Sequence, residues 1–440
     1  MNFFKKNSFL FAIIISGIAC LFLAYFISRD NFTALFSCYS VAFLGFVLFY
    51  STNQKTNYLF TTGVVLRILF FFGIPFWSQD FYRFIWDGNL LTSGINPYLQ
   101  TPNELLESVY ISNSEGLYAK MGSLSASHYS NYPPINQLFF AFCSFFGNNS
   151  IFISALLLKL IILFSDIGIY HYGKKILLFL NQNPKKIFLY FLNPLVVIEL
   201  TGNLHFEGVM LFFFVVGLYL FLKERWILAA VFIALSISTK LLPLLLLPFF
   251  YQRLGFKRSI YFFSIIIGIS AVTFVPFISQ KLISNYTETI GLWFTNFEFN
   301  ASIYYLVREI GFYVKGYNII RIVGKITPII TLLVILYFAI FNTNKKPSDL
   351  FANALITLSI YFFISTTVHP WYAVNLVFLS IFTRFKFPII WSYLIILSYF
   401  AYSQIPFKEN YFLLFIEYSI VFSVFIYEFF FVQKKDIYNG

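Results

Sequence analysis

Long apolar stretches separated by short polar connectors dominate this 440-residue chain. A helix needs about 18 or more apolar residues to cross the roughly 30 Å hydrocarbon core of a bilayer. Several stretches approach or exceed that length, at residues 8–27, 32–50, 58–77, 151–172, 319–341 and 411–432. With the shorter runs between them, the pattern amounts to about 13–14 hydrophobic segments. The sequence therefore predicts an all-α polytopic membrane protein, with a single membrane-embedded domain over residues 1–440.

Basic residues predict the orientation, because cytoplasmic connectors of membrane proteins are enriched in Lys and Arg. The basic residues next to the chain ends are Lys5, Lys6, Lys434 and Lys435, which predicts that both termini are cytoplasmic. Alternation of the spans then makes residues 78–149 a large external loop after the third segment. Residues 278–318 form a second external loop. The apolar run at 134–146 is short for a span and is predicted to be a re-entrant or interfacial helix.

Composition narrows the class of protein. Hydrophobic residues make up 59% of the chain and charged residues 11%, which is far too apolar for a soluble globular domain. The net charge of +12 lies mostly in the connectors, so the expected partner is the lipid bilayer and not nucleic acid. Three cysteines in apolar surroundings predict neither a disulfide framework nor a metal site. These features favour a multi-pass protein of the cytoplasmic (inner) membrane.

The predicted topology brings titratable residues from distant segments to one membrane face. These residues are Asp80, Asp87, His205, Glu207, Lys240 and His369. Ionisable groups at membrane depth are costly and usually functional. Their convergence predicts a single site facing the periplasm or exterior. Glu417 and Glu428, inside the last apolar run, receive no role from the pattern.

The block from Asp80 to Gly88 follows an apolar segment directly and reads Asp-Phe-Tyr-Arg-Phe-Ile-Trp-Asp-Gly. If it is helical, Asp80, Arg83 and Asp87 share a face, because seven residues make nearly two turns. In a functional interpretation, Asp80 is a general base that takes a proton from an acceptor hydroxyl. In a structural interpretation, Asp80 is a helix-start carboxylate and Arg83 its ion-pair partner. Local spacing leaves both open.

Other residues could bind a phosphate or a sugar. Lys240, at a predicted helix break before Pro243, either contacts a phosphate or extends to the membrane interface. His369 could donate a hydrogen bond to a phosphate. Trp371 and Tyr372 could stack on a sugar or belong to the interfacial aromatic belt.

A short external turn holds Asn203, His205 and Glu207, which alternate with apolar residues. A metal held by His205 and Glu207 is an alternative, but two ligands are weak evidence for a metal site. The expected cofactor is therefore none, and a divalent metal is compatible with the residues without being favoured.

Taken in order, these motifs resemble those of the GT-C superfamily of integral-membrane glycosyltransferases. The most similar group is the bacterial mannosyltransferases that depend on polyprenol-phosphate-mannose, of the glycosyltransferase 87 type. The matching motifs are Asp80-Phe81-Tyr82-Arg83-Phe84-Ile85-Trp86-Asp87-Gly88, Gly94-Ile95-Asn96-Pro97-Tyr98, Tyr132-Pro133-Pro134, Asn193-Pro194, Gly202-Asn203-Leu204-His205, Lys240-Leu241-Leu242-Pro243 and His369-Pro370-Trp371-Tyr372. One departure is Gln79, because many members carry a second acidic residue there, and this weakens the expectation of a bound divalent metal.

The resemblance implies a GT-C-type fold and transfer of a hexose, mannose by analogy, from a polyprenyl-phosphate-linked donor. The acceptor would be lipid- or glycan-linked, and the anomeric configuration would invert. Asp80 would be the catalytic base, supported by Asp87 and Arg83. Lys240, His369 and Arg83 would bind the donor phosphate, and their charge stabilisation could replace a metal. The implied sugar or acceptor contacts are Tyr132, Asn203, His205, Glu207, Trp371 and Tyr372.

Two other functional classes are compatible with a polytopic chain. A non-catalytic lipid or solute transporter should show internal repeats, but the block from Asp80 to Tyr98 is not repeated in the second half of the chain. A polysaccharide polymerase or ligase would use similar chemistry on longer glycans.

Overall fold

Helices make up the regular structure of this protein, as the apolar pattern predicts. The computed structural model describes residues 2–52, 54–109, 111–344 and 346–432. Within these ranges no strand forms, and the one isolated bridge pairs Phe299 with Thr367 in parallel. Lys434 and Lys435, which help to predict the orientation, lie outside the described residues.

The helices of the first part of the chain carry both the long spans and the short elements of the predicted external loop. In order they are α1 (Asn2–Tyr25), α2 (Phe32–Ser51), α3 (Thr56–Ile68), α4 (Asp80–Thr92), α5 (Pro102–Leu105), α6 (Ser114–Met121), α7 (Ser123–Ala126), α8 (Pro134–Phe146), α9 (Ile151–Phe179), α10 (Phe188–Phe191), α11 (Pro194–Val196), α12 (Glu207–Leu222) and α13 (Trp226–Ile237).

The second part continues in the same way. Its helices are α14 (Tyr251–Phe274), α15 (Leu282–Thr295), α16 (Ile303–Lys315), α17 (Ile320–Ile340), α18 (Pro347–Ile364), α19 (Ala373–Ser380), α20 (Phe387–Leu394) and α21 (Tyr411–Tyr427). Tighter 3₁₀ segments lie at Pro184–Ile187, Leu242–Phe250, Val275–Phe277, Pro370–Tyr372 and Ile395–Ser403, and π-helical segments at Val197–Gly202 and Glu428–Val432.

Seven helices of the described ranges are long and apolar enough to cross a membrane, which confirms the polytopic class. They are Asn7–Tyr25, Phe32–Ser51, Ile151–Phe179, Leu242–Phe277, Ile320–Ile340, Pro347–Ile364 and Tyr411–Phe431. An eighth span would come from Pro194–Gly202 and Glu207–Leu222, which are bent by 113° at their junction. Leu242–Phe277 is kinked at Gly255, whose φ of 69° is left-handed. Several other predicted segments form helices of 17 residues or fewer.

The prediction of a full helical span at residues 58–77 is wrong in its second half. Helix α3 ends at Ile68, and the chain then turns through Gly73. A Cβ at Gly73 would lie 2.7 Å from the carbonyl oxygen of Ala24, so only glycine fits this approach. The buried ammonium of Lys159 donates to the carbonyls of Phe70 and Gly73. Unwinding is therefore tolerated because the freed carbonyls find a partner.

A buried ion pair joins α3 to α9. Arg67 Nε donates to Asp166 Oδ2 at 2.7 Å, and both side chains are fully buried. Tyr190 Oη donates to the other carboxylate oxygen at 3.1 Å, and Arg67 Nη1 donates to the carbonyl of Phe191 at 2.7 Å. Charges at this depth are tolerated only when paired and hydrogen-bonded. This network therefore links α3 to α9 and to the segment around Tyr190.

Candidate functional site

Asp80 is the first residue of α4, placed there by the irregular turn that follows α3. Its side chain is 36% exposed, and within the described residues no hydrogen bond reaches its carboxylate. The carboxylate does face His205, whose Nε2 lies 3.8 Å from Asp80 Oδ2. A partly exposed carboxylate with free lone pairs can accept a proton from an approaching hydroxyl.

Asp87, two turns along α4, is instead fully buried in a hydrogen-bond network. Its Oδ1 accepts from Arg83 Nε at 2.7 Å. Its Oδ2 accepts from Ser130 Oγ at 2.5 Å and from Gln137 Nε2 at 3.0 Å. This saturated carboxylate has a supporting role in holding α4 against α8 and the loop before it.

Arg83 pairs with Asp87, so the structural interpretation that pairs it with Asp80 is wrong. Arg83 Nη1 also donates to the carbonyls of Ser125 and His128, at 2.6 and 3.0 Å. The residue is only 3% exposed. This geometry favours a positioning role for Arg83 over the predicted contact with a donor phosphate.

His205 follows the π-helical segment Val197–Gly202, where the chain bends sharply before α12. Its Nδ1 lies 3.1 Å from Glu199 Oε2, out of hydrogen-bond alignment. Glu199 accepts from Tyr399 Oη at 2.8 Å and from Asn203 Nδ2 at 3.0 Å. Asn203 is thus a buried support for Glu199, and this geometry argues against the predicted sugar contact.

The sequence reasoning missed Glu199, which is fully buried beside His205. The available signal is a lone carboxylate within the apolar run before Gly202. π-Helical turns frequently mark functional sites because they redirect side chains.

Three aromatic rings form a continuous stack beside Asp80. The rings of His205 and Trp371 lie 3.7 Å apart, and those of Trp371 and His369 lie 4.3 Å apart with an interplanar angle of 7°. Both faces of Trp371 are therefore covered by imidazoles. This arrangement argues against the predicted stacking of a sugar on Trp371, since a sugar would have to displace a histidine.

His369, at the end of the stack, is held in its neutral form. Burial, together with the nearby His205 and Lys240 side chains, lowers the pKa of His369 to about 3. A neutral imidazole can donate a hydrogen bond to a phosphate but supplies no net charge. Its neighbour Tyr372 packs its ring 5.7 Å from that of Phe362.

Lys240 lies at the predicted break between α13 and the 3₁₀ segment Leu242–Phe250, and its ammonium forms an ion pair with Glu207. Its side chain remains 23% exposed. Glu207 thus pairs with Lys240, whereas the two ring nitrogens of His205 face Glu199 and Asp80. Within the described ranges, no three His, Cys, Asp or Glu side chains are grouped to hold a metal ion.

Tyr132 links α4 to α8 through aromatic contacts. Its ring lies edge-on to those of Phe84, at 5.0 Å, and Phe140, at 5.5 Å. Burial raises the pKa of the Tyr132 hydroxyl, and the charge of Asp80 raises it further. Tyr132 is therefore a protonated donor in the neighbourhood of the Asp80 carboxylate.

Arg29 is a second cation at the site that the sequence reasoning missed. Its Nη2 donates to Gln79 Oε1 at 3.0 Å, and its guanidinium lies 4.5 Å above the ring centre of Tyr402. Gln79, which stands in place of a second acidic residue, thus orients a cation beside Asp80. The available signal was the predicted alternation, which puts the connector between the first two spans on the same face as Asp80.

The structure therefore brings Asp80, His205, Trp371 and His369 together, with the Lys240–Glu207 pair within electrostatic reach of this group. Arg83 and Asp87 lie on the same helix as Asp80 and pair with each other. Burial, and in addition the charge of Asp80, raises the pKa of Tyr132 and of Tyr372. All of these residues except Trp371, His369 and Tyr372 come from the first 240 residues.

Comparison with known proteins identifies mannosyltransferases as relatives of the part of the chain that carries most of the site. Residues 3–254 match the family model of the MptA/B family, described as alpha-(1->6)-mannopyranosyltransferase, N-terminal domain. Alpha-(1->6)-mannopyranosyltransferase A of Mycobacterium tuberculosis (strain ATCC 25618 / H37Rv) is 22% identical over 240 residues. The aligned region is 53% of this chain and 45% of that relative, so the match spans less than half of the relative's length.

The family match covers more than half of the chain and includes the motifs around Asp80, His205 and Lys240. The predicted resemblance to integral-membrane mannosyltransferases is confirmed, and it supports glycosyltransferase activity. The chain belongs to the MptA/B family of alpha-(1->6)-mannopyranosyltransferases.

Proposed function

We propose that this protein transfers a hexosyl group, mannose by family, from a polyprenyl-phosphate-linked donor to a hydroxyl of a lipid- or glycan-linked acceptor. The observation that carries the proposal is the Asp80 carboxylate beside His205, which is partly exposed and accepts no hydrogen bond from the described residues. Family membership supports the reaction class. The proposed site faces the exterior of the cytoplasmic membrane, with both termini inside.

In the proposed reaction, Asp80 takes the proton of the acceptor hydroxyl as its oxygen attacks the anomeric carbon. The bond from that carbon to the phosphate oxygen breaks, and the polyprenyl phosphate leaves with the electron pair. Attack opposite the leaving group inverts the anomeric centre. The proton ends on Asp80 and the negative charge on the phosphate.

Charge stabilisation of the leaving phosphate would come from side chains around Asp80. Lys240 is partly exposed and Arg29 is oriented by Gln79, so both can supply a positive charge. His369, being neutral, would donate a hydrogen bond only. Preorganised donors of this kind stabilise developing charge without a metal.

Transfer by purified protein in detergent tests the proposal. Polyprenyl-phosphate-mannose and an envelope acceptor extract are supplied, and mass spectrometry detects a new glycosidic product. We expect transfer without an ion gradient. Movement of lipid or solute in vesicles, with no glycosidic product from mannose, other hexoses or a pentose, would contradict the enzyme proposal.

The orientation is tested separately by labelling single cysteines with a membrane-impermeant reagent. A cysteine at Asn113 should react from the outside of intact cells, and one at Lys346 only after permeabilisation. Equal reactivity of both positions in intact cells would contradict the proposed topology.

A further inference from the structure

A second buried polar cluster lies between the segment after α15 and the start of α21. Asn300 is its centre: its backbone N–H donates to Glu409 Oε1 at 2.6 Å, and its Nδ2 donates to Glu417 Oε1 at 3.1 Å. Trp391 Nε1 donates to the same oxygen of Glu417 at 2.8 Å. Tyr305 Oη donates to the other oxygen of Glu409. Two carboxylates are thus drawn to one asparagine.

The two carboxyl groups of the cluster lie away from the nearby arginine. Arg308 forms ion pairs with Glu298 and Glu309 instead, both at 2.9 Å. Within the described residues, neither Glu409 nor Glu417 has a cationic partner within 4 Å. Bringing two carboxylates together out of water without a cation is costly.

Two oxygen atoms in the cluster have no hydrogen-bond partner among the described residues. They are Glu417 Oε2 and Asn300 Oδ1, on side chains that are fully buried. Both residues line a small cavity together with Glu409, Ser398 and Asn410. An unpaired buried oxygen is unfavourable, so each of the two oxygens needs a partner. A cation would accept the lone pairs of both oxygens and would neutralise the two carboxylates.

We propose that Glu409, Glu417 and Asn300 Oδ1 bind a hard divalent cation of the Ca²⁺ type in this cavity. Ca²⁺ takes six to eight oxygen ligands in flexible geometry, including carboxylates, amide carbonyls and water. Two carboxylates neutralise its charge. The cavity is separate from Asp80 and does not require the proposed reaction.

The cation would fix the second external segment against the candidate active site. Phe299, next to Asn300, accepts a hydrogen bond from Val368 N at 2.8 Å, and its ring lies 5.1 Å from that of His369. Binding at Asn300 therefore holds the backbone on which His369 rests. The site would be structural, and its effect on His369 would be one of positioning.

Terbium luminescence tests the proposal, because Tb³⁺ replaces Ca²⁺ and is excited through a nearby indole such as Trp391. The full-length protein is stripped with a chelator in detergent and titrated with Tb³⁺. We expect a saturable signal that Ca²⁺ displaces, together with a rise in thermal midpoint on adding Ca²⁺ alone. Glu417→Gln keeps an acceptor for Trp391 and Asn300 but removes the charge, so affinity should fall at least about 10-fold.

A matched control comes from the same apolar run. Glu428→Gln changes another buried carboxylate, which accepts backbone N–H groups of Lys386 and Phe387, and should leave the affinity within about twofold. If Glu417→Gln does not fold, Glu409→Gln decides, with the same expected loss. Wild-type protein without Ca²⁺-displaceable luminescence, or equal affinity in the folded Glu417 or Glu409 variant, would overturn the proposal in favour of a protonated carboxylate.

Discussion

Asp166→Ala tests how much the buried ion pair between Arg67 and Asp166 stabilises the folded protein. The substitution leaves Arg67 fully buried without its partner, because both side chains of the pair are inaccessible to solvent. Breaking a buried ion pair by removing one partner costs about 3–5 kcal/mol. With an unfolding entropy of about 2.1 cal/mol/K per residue, the 440-residue chain has about 0.9 kcal/mol/K. The expected fall in thermal midpoint is then about 3–5 °C, and larger if helices survive unfolding in detergent.

The double variant Arg67→Leu with Asp166→Leu separates loss of pairing from loss of contacts. Replacing both members of a buried pair by apolar residues is often neutral, so the double variant should recover most of the midpoint lost by Asp166→Ala. Differential scanning fluorimetry of protein in one detergent measures all three forms. If Asp166→Ala has the thermal midpoint of wild type, or the double variant has a midpoint no higher than Asp166→Ala, the buried pair does not stabilise the protein in the way proposed.

Three further outcomes are expected. Glu199→Gln should lower kcat about 10–100-fold with donor KM unchanged, because it removes the negative charge that lies 3.1 Å from His205 Nδ1; an unchanged kcat would contradict this positioning role. Gly88→Ala places a Cβ 2.3 Å from a backbone oxygen of α8 and should lower the thermal midpoint, whereas Gly116→Ala, with open space around it, should not. The pKa of His369 is about 3 in the folded protein, against about 6.5 in an unfolded chain. Between these two pH values the unfolded chain therefore binds one more proton than the folded protein. Stability should therefore fall as pH drops through that window, by about 1.4 kcal/mol per unit, and His369→Asn should flatten this dependence; an equal slope in both proteins would exclude it.

The sequence predicts the long helices well because length and apolarity alone determine them. Helix α2 begins at the predicted residue 32 and α17 lies within a residue of the predicted 319–341. The end of α3 could not be predicted, because Lys159, 86 residues beyond Gly73, satisfies the carbonyls that unwinding exposes. Such long-range compensation leaves no local pattern.

The candidate site was likewise predicted only in part from the sequence. The motifs identify Asp80 and His205, but the spacing on α4 allows Arg83 to pair with either Asp80 or Asp87. In the structure Arg83 pairs with Asp87, whose other carboxylate oxygen accepts hydrogen bonds from Ser130 and Gln137. Glu199 and Arg29 were not predicted because each has a partner that is distant in sequence: Tyr399 lies 200 residues after Glu199, and Gln79 lies 50 residues after Arg29.

Asp80→Asn decides whether Asp80 is the catalytic base. The change keeps the shape of a side chain whose carboxylate accepts no hydrogen bond among the described residues, so the variant should fold and insert normally. Asp87→Asn is the matched control on the same helix, and it should impair turnover less. We predict that Asp80→Asn lowers mannosyl transfer from polyprenyl-phosphate-mannose by about 10²–10⁴, with an unchanged thermal midpoint. Near-normal transfer by the folded Asp80→Asn protein would show that Asp80 is not the catalytic base.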